Sequence, residues 1–209
     1  MSEKIERQVL PLFSRPIYIV KGYNLNKEEM EAVQLEKNQI NDNAGKNYTS
    51  KDSYVFNKLA FKNLADWIKK EVEIYFYDFL QFNKNTKLRF TQSWLNYNPQ
   101  DTFHHVHTHP NSIISGVYFI QGDQQPILFE RFENDHLFGN IMPEADKFNY
   151  YNCGSWKVTN KPGYLLLFPS SVKHGVVMNA SKEERISLSF NTFATGTLGK
   201  KLGLTELTL

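Results

Sequence analysis

The chain of 209 residues is 41% hydrophobic and 22% charged, long enough for a folded domain to bury roughly 70% of the surface its unfolded chain exposes. Its 24 basic and 22 acidic residues leave a formal charge of +2, which excludes a strong charge-driven nucleic-acid or membrane partner. A single cysteine, Cys153, excludes an internal disulfide framework and a cysteine-rich zinc site, and fits a reducing compartment.

The N-terminus, MSEKIERQVLPLF, carries charges where a signal peptide needs an apolar core. No later stretch approaches the ~18 to 20 apolar residues of a membrane span, so a cytoplasmic protein is expected. Without repeats or a Pro/Gly/Ser-rich linker, residues 1–209 read as one domain. Residues 13–20 are β-like, and Pro16 there suits a strand start or an edge. Asn26 before KEEMEAVQLEK predicts an N-cap, acidic first-turn residues and a helix of about three turns. Residues 41–53, polar with Gly45, predict a loop. Over 58–82, Leu64, Ile68, Val72, Tyr75, Phe76 and Phe79 recur at intervals of three and four, predicting a long amphipathic helix with its aromatic stripe in the core.

After Lys87 the pattern becomes short β-branched and aromatic runs between turns, predicting strands near 88–97, 104–109, 113–120, 127–132, 156–159, 164–169, 173–178 and 185–193. Eight such strands predict a mainly β protein, a jelly roll of double-stranded β-helix or cupin-like type, with the helices of 1–87 packed on one sheet and a tail from 194 to 209. The irregular aromatic stretch 133–155 has the length of a lid or binding loop.

Four of the six histidines fall between positions 104 and 109. In FHHVHTHP, strand alternation sends His105, His107 and His109 to one face and His104 to the other. Imidazoles at i and i+2 can close on one ion, and His174, strand-borne in LLLFPSSVKHGVV, offers a third. The competing reading is histidines that satisfy buried hydrogen bonds or face solvent. Nitrogen ligands suit Fe, Zn, Cu or Ni, and three of them leave open positions for chemistry. A closed structural zinc site would need a fourth ligand, from His105 or a distant carboxylate. His136, in the 133–155 stretch, has no partner in the pattern. In RISLSFN, alternation puts Arg185, Ser187, Ser189 and Asn191 on one face of a strand. An arginine with a serine two residues on suits either a carboxylate ligand or a salt bridge to a buried acid.

Together these segments resemble the Fe(II)/2-oxoglutarate-dependent oxygenase superfamily. More narrowly, LPLFSRPIYIV, SWLNYNPQDTFHHVHTHPNSIISGVYFI, KPGYLLLFPSSVKHGVVMN and RISLSFN are similar to a subfamily of such oxygenases, some of them phage-encoded. The resemblance implies an enzyme that uses Fe(II), 2-oxoglutarate and O2 to hydroxylate a small molecule or protein side chain, releasing succinate and CO2. It implies His107, His109 and His174 as iron ligands, with His105 in reserve for a triad of His105, His107 and His174. It implies Arg185, assisted by Ser187, at the distal carboxylate of 2-oxoglutarate, and Tyr118 as a further hydroxyl toward that co-substrate. The chain departs from the superfamily's usual His-x-Asp/Glu, since no histidine here has an acid two residues later. A three-histidine cupin-type dioxygenase without 2-oxoglutarate and a non-catalytic jelly-roll binding protein are the alternatives.

Overall fold

The computed structural model describes residues 8–37, 45–122, 125–132, 139, 141, 143–159 and 161–209. His136 and the rest of 133–138, with 140 and 142, in the predicted 133–155 loop lie outside the described residues. Helix α1, Lys27–Glu36, begins at the predicted cap: Asn26 Oδ1 accepts from the Glu29 N–H, and the Glu29 carboxylate accepts from the Asn26 N–H. The helix predicted over 58–82 is instead a composite. Two 3₁₀ turns, Val55–Asn57 and Leu59–Phe61, lead into α2, Lys62–Glu73, which continues as a π-helical turn over Ile74–Phe79. There the Leu80 N–H reaches the Tyr75 carbonyl at 3.0 Å. This wider bonding shifts the phase of the stripe. Leu64, Ile68, Val72, Tyr75 and Phe76 are buried as predicted, whereas Phe79 is exposed and leans on the Tyr18 ring.

The strands form two antiparallel sheets. The large sheet runs in the order β1 (Tyr18–Lys21), β8 (Tyr164–Pro169), β5 (Ile114–Gln121), β10 (Arg185–Leu198), β3 (Thr86–Asn98), β2 (Tyr48–Thr49), with β11 (Leu207–Thr208) paired to the far end of β10. The small sheet runs β4 (His104–His107), β9 (Lys173–Val176), β6 (Ile127–Glu130), β7 (Ser155–Val158). This is the predicted mainly β architecture with helices on one sheet. β1 lies at an edge just after Pro16. Two local expectations are corrected: the 41–53 loop contains β2, and β10 runs past 193 to Leu198, so part of the tail is strand.

The large sheet is covered on both faces, which explains why β5 and β8 read as nearly continuous apolar runs rather than alternating ones. One face packs Leu95, Tyr97, Tyr118, Leu165, Leu167, Leu188 and Phe190 against Phe61, Leu64, Ile68 and Tyr75 of the helical layer. The other sends Val117, Phe119, Leu166 and Phe168 toward Ile127 and Phe129 of the small sheet. Between the sheets, beside this second cluster, lies the cavity described below. No helix among the described residues is long and apolar enough to cross a membrane.

Gly116 on β5 stands opposite Phe190 on β10. A Cβ at this position would overlap Phe190 Cζ and Leu167 Cδ2, so the glycine is what lets the aromatic ring lie against the sheet. Gly116→Ala is expected to lower unfolding free energy by about 1–3 kcal/mol through overpacking, measured by urea denaturation. Wild-type stability in this variant would contradict the packing.

Candidate metal centre

The histidine-rich strand does not keep simple alternation. Its ladder with β9 pairs His104 with Val176 and His107 with His174. Three steps along β4 therefore match two along β9, the mark of a β-bulge that inserts one residue. Both His104 and His107 consequently line the interior, while His105 and Val106 are exposed. This corrects the expected phase, which placed His104 on the opposite face and His105 with the ligands. His109 follows the strand, tied by its N–H to the Ser170 carbonyl at 3.0 Å.

His107, His109 and His174 converge. Their ring centroids are 4.8 Å (His107–His109), 4.5 Å (His107–His174) and 5.0 Å (His109–His174) apart, and their ligand-capable atoms lie within 4.8 Å of one another. His107 Nδ1 is 2.8 Å from the His105 carbonyl and His174 Nδ1 is 2.9 Å from the Val172 carbonyl. A carbonyl only accepts, so both Nδ1 atoms carry the proton and both Nε2 lone pairs are free to bind an ion. A second grouping, His104, His105 and His107, also has ligand atoms within 4.8 Å. It shares His107 with the first and depends on the exposed His105.

Burial holds these imidazoles neutral. It pushes His109 and His104 down to about 3 and His174 to about 4, and it lowers His107, with the neighbouring imidazoles adding to the effect. Neutral imidazole is the state that coordinates a metal.

The same cavity, of about 40 Å³, is lined by Arg185 and Ser187 together with the three converging histidines. Arg185 is 2% exposed. Its Nη1 donates to Asn98 Oδ1 at 3.3 Å, and its guanidinium lies 5.2 Å from the Phe119 ring centroid. Desolvation lowers its pKa to about 10, so it stays cationic at neutral pH. Nε and Nη2 are buried without an acceptor, and among the described residues no carboxylate pairs with this arginine. Among the described residues the salt-bridge reading of Arg185 therefore finds no acid to support it.

Tyr118 is a correction. It alternates to the helical face of the large sheet, where its hydroxyl donates to the Tyr23 carbonyl at 2.9 Å and its ring meets Trp67. Its place in the strand put it in phase with Leu188 rather than with Ser187. The residues that sequence reasoning missed are Asn98 and the inward His104. Asn98 was legible as the cross-strand neighbour of Arg185 once the β3–β10 register was known. His104 required the bulge.

Residues 92–191 match the model of a family described as "Putative 2OG-Fe(II) oxygenase". No curated protein matches the sequence. Among solved structures, the fold is similar to HygX from Streptomyces hygroscopicus with nickel, 2-oxoglutarate and hygromycin B bound, at 11% identity and TM-score 0.56 over 86% of this chain and 83% of that one. It is similar to a prolyl-4-hydroxylase from Pseudomonas putida, at 12% identity and TM-score 0.52 over 86% of this chain and 94% of that one. It is also similar to a viral collagen prolyl hydroxylase from Paramecium Bursaria Chlorella virus-1 in complex with 2OG, at 9% identity and TM-score 0.53 over 84% and 94%. At these identities the likeness is one of fold.

His174→Ala is expected to abolish stoichiometric binding of Co(II) or Mn(II), measured by calorimetry and metal analysis, because it removes a buried ligand with a preset tautomer. His105→Ala should bind as the wild type does. Loss of metal in His105→Ala with retention in His174→Ala would assign the ion to the other histidine grouping.

Proposed function

We propose, for a chain whose residues 92–191 match the model of a 2OG-Fe(II) oxygenase family, that His107, His109 and His174 hold Fe(II) and that Arg185 with Ser187 anchors the far carboxylate of 2-oxoglutarate. The class of activity is that of an iron- and 2-oxoglutarate-dependent oxidoreductase. The observation that carries the residue assignment is the buried guanidinium of Arg185, unpaired among the described residues, in the same cavity as a cluster of three neutral imidazoles. The donor set fits the group: three nitrogen ligands suit a first-row transition metal, and a forked cation suits a carboxylate.

When bound, iron with 2-oxoglutarate and O2 supplies the oxidising power for hydroxylating a C–H bond, with release of succinate and CO2. The protein's own part is positional. The His105 and Val172 carbonyls fix the rings of His107 and His174, each accepting from Nδ1 and so aiming Nε2 inward. Phe168 and Phe129 pack on His174, with centroids at 4.6 and 6.2 Å, and exclude water from its back side. Arg185 orients the co-substrate along the cavity, its charge kept at full strength by burial.

Access for a prime substrate lies on the other side of His109. There an open groove of about 600 Å³ shares Trp94 and His109 with the inner cavity and is walled by Arg89, Gln92, Asn191 and Phe193. It contains one cation and no acid. A polar small molecule or a protein side chain suits this groove. The single cysteine supports a cytoplasmic setting.

Anaerobic Fe(II)-loaded protein is expected to develop a metal-to-ligand absorption band on titration with 2-oxoglutarate, and absence of that band would overturn the reading. Arg185→Ala should retain the metal and weaken 2-oxoglutarate by about a hundredfold or more, the loss expected on truncating one partner of a buried charge pair. Unchanged affinity in that variant would remove Arg185 from the site.

A further inference from the structure

At its cavity end the large sheet carries a row of three polar residues, one from each of three neighbouring strands. Arg185 on β10 stands opposite Asn98 on β3. β2 pairs with β3 through Tyr48–Tyr97 and Thr49–Asn96, and this register carried one residue further sets Asn47 opposite Asn98. Their chain neighbours Tyr97 and Ile186 lie in the core under the helices, so alternation turns the row to the other face, and all three residues line the cavity.

Each member of the row has a buried donor without an acceptor: Nε and Nη2 of Arg185, Nδ2 of Asn98 and Nδ2 of Asn47. Arg185 is 2% exposed, and the two asparagines 1% each. The amide oxygens are already engaged. Asn98 Oδ1 accepts from Arg185 Nη1 at 3.3 Å, and Asn47 Oδ1 faces His104 Nδ1 at 3.4 Å. Burying one such donor unpaired is costly, and native proteins rarely do it. Four in one row, with a single positive charge and no acid among the lining residues, match an acceptor-only group with several lone pairs, which is the description of a carboxylate.

We propose that Asn47, Asn98 and Arg185 act together as one carboxylate clamp spanning three strands, with both asparagine amides donating to the far carboxylate of 2-oxoglutarate. This rests on the oxygenase reading above and extends it beyond Arg185 and Ser187. Asn47 lies outside residues 92–191, so a segment preceding the family region completes the co-substrate site. That segment is held on both sides of Asn47. The Gly45 carbonyl accepts from the Phe103 N–H at 3.2 Å, in an approach so close that a Cβ on Gly45 would overlap the Phe103 carbonyl. On the other side, the Ser50 N–H donates to the Leu95 carbonyl at 2.8 Å, and Ser50 Oγ accepts from the Leu95 N–H at 3.0 Å.

The test is calorimetry on the full chain loaded with Mn(II), titrated with 2-oxoglutarate and separately with 2-oxobutyrate, a keto acid that lacks the far carboxylate. Asn47→Ala and Asn98→Ala are each expected to weaken 2-oxoglutarate by about tenfold or more and to leave 2-oxobutyrate unchanged. Folded variants that bind 2-oxoglutarate like the wild type, or that lose both ligands equally, overturn the clamp. Should the alanine variants fail to fold, the near-isosteric Asn98→Asp sets an internal carboxylate against Arg185. This variant is expected to lose 2-oxoglutarate by at least about a hundredfold with an unfolding temperature at or above the wild-type value, and retained binding there overturns the clamp as well. A wild-type protein that binds Mn(II) but not 2-oxoglutarate overturns the oxygenase reading itself, and the clamp with it.

Discussion

A guanidinium buried with no acid beside it among the described residues is the constraint around which this protein is arranged. Removing an ion from water costs several kcal/mol even after the protein relaxes, and Arg185 recovers only part of that through Asn98 and the Phe119 ring. It is held on a long central strand with neighbours on both sides, β5 and β3, so it has no route to solvent. Folding therefore leaves a deficit that an anion could relieve, and Arg185 lines the same cavity as the histidines.

The histidine end obeys the complementary rule. Four imidazoles close together in one cavity cannot all carry protons, and burial keeps them neutral. Three neutral ligands leave a divalent ion its full charge, where a carboxylate ligand would reduce it. The cavity would then be positive at both ends, at the metal and at Arg185. A ligand negative at both ends answers this electrostatically, and 2-oxoglutarate is such a dianion. The absence of an acid from the histidine motif and the absence of an acid beside Arg185 thus belong to one charge pattern.

Local signals carried much of the fold. The Asn26 cap, the amphipathic run containing Leu64, Ile68 and Val72, and the eight β-rich segments all reappear, because capping and alternation act within a few residues. Errors arose where one added residue changes the phase. The π-helical turn after Glu73 exposes Phe79, and the bulge in β4 turns His104 inward and His105 out. Neither insertion leaves a mark in the residue types themselves. Tyr118 was misplaced for a related reason: a strand covered on both faces has no polar side to reveal which way each residue points.

From the sequence alone came the double-sheet class, the histidine pair with its distant partner, and Arg185 as the cation on the polar face of its strand, since each depends on residue type and short-range spacing. Tertiary structure decided which histidines share a cavity, that Arg185 has no acidic partner among the described residues, and that Asn47 joins Asn98 and Arg185 in one row. These are facts of register between strands up to 138 positions apart, as from Asn47 to Arg185 (185 − 47). Register is set by how two sheets and a helical layer bury their apolar faces together, and no local pattern encodes it.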